Sequence, residues 1–324
     1  MVRNARIWCA AGVALALGLA GSAAHAQDKV KVGVFPVSSS LPFFVAQERG
    51  FFKEQGIDAE MIRLIGGPPN VSALITNQID AAAVLVTIEG MNANLKKPGV
   101  AMYISVNGQN AEYQMEQFVV RKGLSVRTLA DLKGKKLMSA PGPANVTMAK
   151  AVLAAAGLKE GDYTIDQLDM GQHVNAMTAG TFDAGYTLEP NATMMRKLGV
   201  ASTLEAGVIA KYILGDPKAN AWVAGGVVST DFVKSRPDVA KRFAAAWAKA
   251  IDFINANPKE ARKHLAKNTL TPDDVIDTVP LVKFTNVASL TNSDRLEFQA
   301  FIDYSTRTGT LSEQVDVNKY LLRF

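Results

Sequence analysis

Short apolar runs alternate with longer stretches of helical periodicity along most of the chain. Residues 30–35 have a period of two, which predicts a β-strand, and residues 41–55 place Phe43 and Phe44 among helically spaced apolar positions. Strands separated by helices predict parallel pairing in an α/β sheet. The other strands predicted in this way are residues 59–65, 81–86, 99–106, 117–121, 136–139, 164–168, 184–187, 201–204 and 222–229.

The alternation restarts after residue 114, which predicts two α/β blocks followed by a helical tail. The blocks run from about residue 27 to 114 and from about residue 115 to 221. The predicted helices of the tail are residues 238–255, 258–267, 272–279 and 294–306. Because the tail has no predicted sheet of its own, we expect it to pack on one of the blocks. Two blocks with a cleft between them form an architecture that suits a small solute.

The first 26 residues have the pattern of a cleaved export signal. Arg3 and Arg6 precede an apolar run at residues 7–20, and Ala24-His25-Ala26 then offers the small side chains that a signal peptidase reads. The run is shorter than the ~20 apolar residues that span a bilayer, which disfavours a membrane anchor. We therefore predict a Sec signal peptide at residues 1–26, cleaved after Ala26, and a periplasmic location.

Composition narrows the functions that the mature chain can have. Its one cysteine, Cys9, lies in the predicted leader, so no disulfide, thiolate ligand or cysteine nucleophile is expected after cleavage. Loss of the leader lowers the formal charge from +5 to +3, and no basic cluster with interleaved aromatic residues indicates a nucleic-acid partner. The sequence has no zinc-protease motif, phosphate loop or nucleophile elbow. We expect no catalysis, no cofactor and no metal.

Several segments together resemble one family of binding proteins. The most specific are Phe-Phe-Lys-Glu-Gln-Gly-Ile at residues 51–57 and the pair Glu189-Pro190. The others lie at residues 32–36, 42–50, 73–80, 119–122, 132–136, 180–185 and 229–238. With these segments the chain resembles the nitrate/sulfonate/taurine-type periplasmic substrate-binding proteins of ABC importers, which include binders of thiamine-precursor pyrimidines.

The resemblance implies a type II periplasmic-binding-protein fold, in which each lobe is a mostly parallel sheet flanked by helices and the ligand cleft lies between the lobes. Residues 27–114 and 225–324 would form lobe 1, and residues 115–224 would form lobe 2. Eukaryotic relatives of the pyrimidine binders are synthases that depend on a cysteine-rich motif, which the mature chain lacks.

The same resemblance implies that lobe closure captures a small organic solute, such as a sulfonate, a taurine-like molecule, an aromatic carboxylate or a pyrimidine. An ABC permease/ATPase complex in the inner membrane would be the partner, and the binding protein itself would be a monomer. The alternative is a ligand-sensing or scaffold protein that uses the same fold without transport.

The turns that follow predicted strands supply the candidate ligand contacts. Residues 37–40 place three hydroxyls beside a helix start, where free N–H groups favour an anion or a polar head, although a simple N-cap is the alternative. Residues 139–145 form the equivalent turn of the second block, with an ordinary Pro-Gly turn as the alternative. The predicted ligand-binding residues are Ser38, Ser39, Ser40, Leu41, Thr87, Ser139, Gly142, Ala144, Asn145, His173, Tyr186, Glu189 and Trp222.

Four of these residues have structural alternatives, one of them Thr87, which also fits a helix cap. His173 fits a structural hydrogen-bonding role, Glu189 fits a brace at the hinge, and Trp222 fits the core. The loops at residues 36–41, 139–147 and 171–174 contain no lysine or arginine, so an anion would be held by N–H groups and hydroxyls alone. This absence favours a neutral or singly charged organic ligand.

Overall fold

Two mixed β-sheets organise the protein in a computed structural model that describes residues 27–324. The predicted signal peptide, residues 1–26, lies outside the described residues. The first sheet contains β1 (Asp28–Val34), β2 (Ile57–Arg63), β3 (Ala81–Val86), β4 (Met102–Tyr103), β5 (Ser105–Gln109), β11 (Ala221–Val228) and β12 (Lys283–Asn286). The second contains β6 (Glu116–Arg121), β7 (Lys136–Ser139), β8 (Thr164–Gln167), β9 (Ala184–Leu188) and β10 (Ala201–Ala206).

Helices cover the two sheets. They are α1 (Leu41–Glu48), α2 (Phe51–Glu54), α3 (Gly67–Ile75), α4 (Thr87–Lys96), α5 (Pro143–Ala155), α6 (Met170–Thr178), α7 (Asn191–Lys197), α8 (Val208–Tyr212), α9 (Thr230–Ser235), α10 (Pro237–Ala256), α11 (Pro258–Arg262), α12 (Ala266–Thr269), α13 (Asp273–Ile276) and α14 (Asn292–Arg307). The helix predicted at residues 41–55 is two helices, because Gly50 between them has a φ of +75°. Within residues 27–324, no helix combines the length and the apolar character needed to cross a membrane.

The strand order is β12-β5-β11-β3-β1-β2 in the first sheet, with β4 beside β11, and β10-β6-β9-β7-β8 in the second. The α/β class with two sheets is as predicted, but the sheets are not mostly parallel. Only the β1/β2, β1/β3, β7/β8 and β7/β9 pairs are parallel. The other strands pair antiparallel, since the chain that crosses between sheets enters each one without the helical crossover that parallel pairing requires.

The chain passes between the sheets twice, from β5 to β6 and from β10 to β11. β11 belongs to the first sheet from Ala221 onward. The C-terminal segment then packs on the first sheet, as expected, but it is not purely helical. Its strand β12 pairs with β5 and covers what would otherwise be a sheet edge, which is a structural reason for a strand there.

The long helix α10 joins the first sheet to α1 and α2. Phe243 and Trp247 on its buried face continue a stack of aromatic rings that begins at Phe52, with ring centroids 5.0 Å apart for Phe52 and Phe243. The indole Nε1–H of Trp247 donates to Ser105 Oγ over 2.9 Å. This buried bond fixes α10 against β5, the strand that leads into the first crossing.

The two crossings touch each other. The Asn110 side chain accepts hydrogen bonds from the backbone N–H groups of Glu112 and Tyr113, and its Nδ2 donates to Lys218 O in the second crossing over 3.3 Å. Gly207 has a φ of +66°, and a Cβ added there would lie 2.6 Å from Ala111 N. A side chain therefore cannot fit at Gly207 unless one crossing moves away from the other.

We predict that Gly207→Ala destabilises the protein more than Gly215→Ala does. Both glycines have positive φ, but Gly215 has no atom within 4 Å of an added Cβ. Gly215→Ala should therefore cost only backbone strain of about 1 kcal/mol, whereas Gly207→Ala should cost about 3 kcal/mol because it adds a backbone clash. Urea unfolding of both variants measures the difference, and equal losses would show that the close approach of the crossings has no energetic weight.

Candidate functional site

The carboxyl ends of parallel strands from both sheets point toward the same region. The turn after β1 holds Ser38, and its backbone N–H donates to the carbonyl oxygen of Glu189, just after β9, over 3.2 Å. Ser38 Oγ also contacts Met115 Sδ at 3.2 Å, at the start of β6. Ligands of α/β proteins bind at such strand ends, so the space between the sheets is the candidate site.

At the outer end of this space lies a groove of about 420 Å³, which we call the mouth groove. Gly66, Pro68 and Pro69 line it from the side of the first sheet. Pro141, Gly142, Pro143, Gln167, Asp169 and Gln172 are among the residues that line it from the side of the second sheet. Within the described chain, neither lysine nor arginine lines the groove.

Glu89 lies in the first turn of α4, the helix that follows β3 of the first sheet, and its carboxyl group lies near the mouth groove. A Cβ added at Gly142 would lie 3.4 Å from Glu89 Oε1, so the glycine leaves room for the carboxyl group beside the start of α5. Burial raises the pKa of Glu89 to about 7, and the backbone N–H of Ala144 opposes this shift. Glu89 Oε2 is buried and has no hydrogen-bond partner among residues 27–324.

A second group of buried polar residues, Gln109, Glu116 and Tyr186, lies at the first crossing; we call it the hinge cluster. Gln109 ends β5 and accepts a hydrogen bond at Oε1 from the backbone N–H of Glu116 over 3.2 Å. Glu116 and Tyr186 lie on one face of the second sheet, because the β6/β9 register pairs Phe118 with Tyr186 and Glu116 with Leu188.

Each residue of the hinge cluster has one polar atom that lacks a partner in the part of the chain that the structure describes. They are Gln109 Nε2, Glu116 Oε2 and the Tyr186 hydroxyl, all of them buried. Burial raises the pKa of Glu116 to about 8. Burial and then the charge of Glu116 raise the pKa of Tyr186 well above its usual range. Nearby, Asn107 Nδ2 donates to Ser39 O over 3.3 Å, while its Oδ1 is also unpaired.

Five of the thirteen predicted contact residues adjoin this space, one of them Tyr186 of the hinge cluster. Ser38 and Ser39 adjoin the hinge cluster, and Gly142 and Ala144 adjoin Glu89. Four of the predicted polar side chains instead bond to nearby backbone carbonyls: Ser40 to Phe35, Thr87 to Trp222, Ser139 to Ala140 and Asn145 to Pro141. Leu41 is fully buried in the core. The capping alternative is not realised for Ser40, Thr87 or Asn145, because α1, α4 and α5 begin without a side-chain cap bond. These side chains make structural bonds to backbone carbonyls instead.

His173 is fixed by its neighbours. Its Nε2 lies 3.0 Å from Leu168 O and its Nδ1 lies 2.8 Å from Thr187 Oγ1. The carbonyl can only accept, so Nε2 carries the proton and Nδ1 accepts from the hydroxyl. Burial lowers the pKa of His173 to about 4. A neutral ring with both nitrogens engaged holds α6 against β9 and has no free nitrogen for a ligand.

The Glu189 carboxylate is also engaged within the second sheet. It accepts hydrogen bonds from Gln117, from the Arg196 guanidinium at 3.1 Å and from the backbone N–H of Thr193 at 3.1 Å. These partners face α7, so the side chain braces this end of the strand, as the structural alternative proposed. Its backbone carbonyl makes the contact to Ser38 across the space.

Trp222 lies on the face of the first sheet opposite to Asn107 and Gln109. It pairs in register with Gly108, whose added Cβ would meet the indole ring, and neighbouring strand residues point to opposite faces. Lys283 Nζ stands 5.3 Å from the indole centroid and bonds to Asp294 of α14. The indole therefore packs beneath α14, which is the core placement given as the alternative.

Glu89, Asn107, Gln109 and Glu116 were not predicted from the sequence. The sequence contains a signal for two of them, because Asn107 and Gln109 alternate with Val106 and Gly108. In the structure all five residues of this strand are buried. Buried polar side chains at a strand end require partners, and a period of two places both on one face. Glu89 and Glu116 carry no comparable local signal. Among residues 27–324, no group of three or more His, Cys, Asp or Glu is arranged to hold a metal ion.

Comparison with known proteins identifies a matching family and several relatives. The family described as NMT1/THI5 like matches residues 38–261. A Bacillus subtilis protein provisionally named as an aliphatic sulfonates-binding protein is 24% identical over 306 residues, which cover 90% of this chain and 86% of that protein. A Brucella abortus protein provisionally named as a binding protein is 25% identical over 224 residues, 69% of this chain. The match spans just under two thirds of that relative, 66% of its length.

An enzyme is among the relatives as well. The 4-amino-5-hydroxymethyl-2-methylpyrimidine phosphate synthase of Saccharomyces cerevisiae is 24% identical over 234 residues, 70% of this chain and 67% of that enzyme.

Among solved structures, the alkanesulfonate-binding protein SsuA of Xanthomonas axonopodis pv. citri bound to MOPS superposes with a TM-score of 0.72. At 19% identity, covering 92% of this chain and 99% of that one, the likeness shows that the two share a fold. The predicted fold class is thus confirmed.

We predict that the carboxyl group of Glu116 makes the protein less stable as the pH rises. The pKa of Glu116 is about 8 in the folded protein and near 4.5 when unfolded, so between these values the folded state binds the extra proton. The free energy of unfolding should fall by about 3 kcal/mol from this group between pH 5 and pH 8. Urea unfolding across this range should show a weaker decline in Glu116→Gln.

Glu60→Gln, a change at an exposed position of β2, serves as the matched control and should retain the wild-type decline. Parallel curves for the wild type and Glu116→Gln would contradict a raised pKa of Glu116.

Proposed function

The chain belongs to the NMT1/THI5-like family, and on that premise we propose that it is a solute-binding protein which captures a small organic solute between its two sheets. The observation that carries the proposal is the set of buried polar atoms without partners in the described chain, at Gln109, Glu116, Tyr186 and Glu89. An unsatisfied buried polar group costs about 1–3 kcal/mol. A bound solute that supplies these partners would turn that cost into binding free energy.

We propose that residues 27–114 and 221–324 act as one lobe and residues 115–220 as the other, with the two crossings as the hinge. Residues 221–224, expected in the second lobe, pair with β5 of the first sheet. Closure over the solute is the working motion of two-lobed proteins. The hydrogen bond from the Ser38 N–H to Glu189 O and the approach of Glu89 to Gly142 join the two sides, so both contacts would separate when the lobes open. They support a picture in which the described structure is the closed form.

We also propose that the protein delivers its solute to an importer. The names of the Bacillus and Xanthomonas proteins refer to binding of sulfonates, and the predicted signal peptide supports export to the periplasm. There the protein would act as a monomer and pass its solute to an ABC permease/ATPase complex in the inner membrane. The candidate solutes are sulfonates, taurine-like molecules, aromatic carboxylates and pyrimidines. A sensor or scaffold protein would use the same capture step but would dock on a different partner.

We propose binding without catalysis. The yeast relative is a synthase, but the groups in this site suit recognition better than reaction. Both nitrogens of His173 are engaged and Glu189 is paired with Arg196, so neither is placed to act as a general base on a ligand. No cofactor is part of the proposal.

We predict that a thermal-shift screen of residues 27–324, purified free of ligand, finds a stabilising small molecule. The panel contains sulfonates, taurine, nitrate, aromatic acids, organic amines and pyrimidines. At 100 times its Kd, a ligand adds about 2.7 kcal/mol to stability, which raises Tm by about 4 °C in a protein of this size. Incubation of the hit without other substrates should leave it chemically unchanged, as mass spectrometry can show.

Gln109→Ala should weaken binding of the hit at least 10-fold, because it removes a buried donor from the hinge cluster. Gln78→Ala, at an exposed position outside the site, should bind like the wild type. Equal affinity in both variants would place the solute elsewhere, and an absence of any hit would contradict solute capture by this panel's classes.

A further inference from the structure

We infer that Glu89 controls lobe closure and that closure takes up a proton at its carboxyl group. Glu89 belongs to the first sheet's side of the mouth groove, and its carboxyl group meets the second sheet's side at the start of α5. The inference rests on the proposed function and names how capture of the solute is regulated. It follows from the space that the two sides leave for the carboxyl group and from the few donors that they offer it.

Glycines make room for the Glu89 carboxyl group on both sides of the groove. A Cβ added at Gly67, the first residue of α3, would overlap Glu89 Oε2. Across the groove, a Cβ added at Gly142 would lie 3.4 Å from Glu89 Oε1. The carboxyl group therefore lies between the starts of two helices, one from each side. When the lobes open, only the α3 side stays beside it.

The helix starts beside Glu89 contain prolines, so they offer a carboxylate few N–H donors. Two prolines follow the first residue of α3, and Pro143 begins α5. Because proline has no N–H, the first donor in α5 is the N–H of Ala144, which favours the ionised form of Glu89. Burial outweighs this one donor and raises the pKa of Glu89 to about 7. The closed form therefore favours the neutral carboxyl group below pH 7.

The charged and titratable side chains of the surrounding elements do not offset the burial of Glu89. The Tyr103 hydroxyl of β4 lies nearby, but it donates its proton to a backbone carbonyl over 3.2 Å. No residue of α3 is charged, and Lys96 of α4 and Lys150 of α5 lie about two turns further along their helices. Among the described residues that line the mouth groove, the charged one is Asp169, whose carboxylate adds to the cost of ionising Glu89.

Opening of the lobes would move α5 away and expose the carboxyl group to solvent. The pKa of Glu89 would then return toward its ordinary value of 4.5. Between that value and pH 7, the closed form binds a proton that the open form has released. Closure is therefore most favourable at low pH and weakens as the pH rises through 7. By the same linkage, capture of the solute takes up protons and is tighter at pH 6 than at pH 8.

The test follows closure with two spin labels, one on each side of the mouth groove. Residues 27–324 contain no cysteine, so Ser72→Cys in α3 and Asn175→Cys in α6, both at exposed positions, take the labels selectively. Double electron–electron resonance at pH 6 and pH 8, with the hit of the thermal-shift screen near its Kd, gives the closed fraction. Glu89 should make the equilibrium constant for closure about 5- to 10-fold larger at pH 6 than at pH 8.

Three charge variants separate Glu89 from other titrating groups. Glu89→Gln keeps the shape of the neutral acid, so it should stay closed at pH 8, bind the hit tighter there than the wild type does, and lose the pH response of Glu89. Glu60→Gln, at an exposed position of β2, should respond like the wild type. Glu116 also titrates in this range, and Glu116→Gln should keep the part of the response that Glu89→Gln removes.

Gly67→Ala tests the geometry without changing a charge. Gly67 has no positive φ, and the three atoms nearest to an added Cβ all belong to Glu89. The substitution should displace the carboxyl group and lower the closed fraction at pH 6. In a Glu89→Ala background the same substitution should have no effect, and equal losses in both backgrounds would overturn the inference.

The pH responses distinguish failure of this inference from failure of the proposed function. Equal pH dependence of closure in the wild type and Glu89→Gln would overturn the inference while solute capture stands. If the screen gives no hit, the proposed function fails and the labels are measured in the ligand-free protein. A label distance that changes with pH in the wild type but not in Glu89→Gln still supports the inference. A distance that is the same at both pH values overturns it.

Discussion

Two sheets that direct their strand ends toward one another must bury polar groups between them, and this constraint organises the whole molecule. The ends of β1 and β9 meet through the bond from the Ser38 N–H to Glu189 O. Around that contact, Gln109, Glu116 and Tyr186 are buried with polar atoms that no described residue satisfies. Native interiors pair nearly all such groups, so a concentration of exceptions at one place indicates a functional site.

The surroundings of the site hold this arrangement in place. Trp247 fixes α10 to β5 through Ser105, and Asn110 connects the first crossing to the second. The side chains of His173 and Glu189 use their polar atoms to brace α6 and α7 against β9. These residues support the strands on which the hinge cluster lies. The polar side chains that support the strands are therefore hydrogen-bonded, whereas those of the hinge cluster keep unpaired atoms. The interactions that stabilise this region lie outside the candidate site.

The sequence predicts the architecture well because periodicity and short motifs are local. The strands at residues 81–86 and 136–139 have the predicted bounds, and the segment around Glu189-Pro190 belongs to the motifs that indicate the family. Pairing direction is not local, which is why the antiparallel strands β5, β6, β10 and β11 were expected to be parallel. The strand β12 was missed for the same reason, since four residues become a strand only beside β5.

The site was predicted less completely than the fold. Strand-end logic leads to Ser38, Ser39, Gly142 and Tyr186, because the turns after parallel strands are visible in the sequence. It does not distinguish side chains that face the cleft from those that face a helix, so Trp222 and His173 were included. Glu89 and Glu116 are isolated glutamates in the sequence, and only the tertiary structure shows that they are buried without a basic partner.

The buried polar atoms of the hinge cluster make solute capture directly testable, because a captured solute must reach them. A crystal structure of the protein with the tightest ligand of the screen tests the account most directly. The expected result is a ligand between the two sheets, with polar atoms within hydrogen-bonding distance of at least two of Gln109, Glu116 and Tyr186. A ligand bound outside this space would contradict solute capture between the sheets.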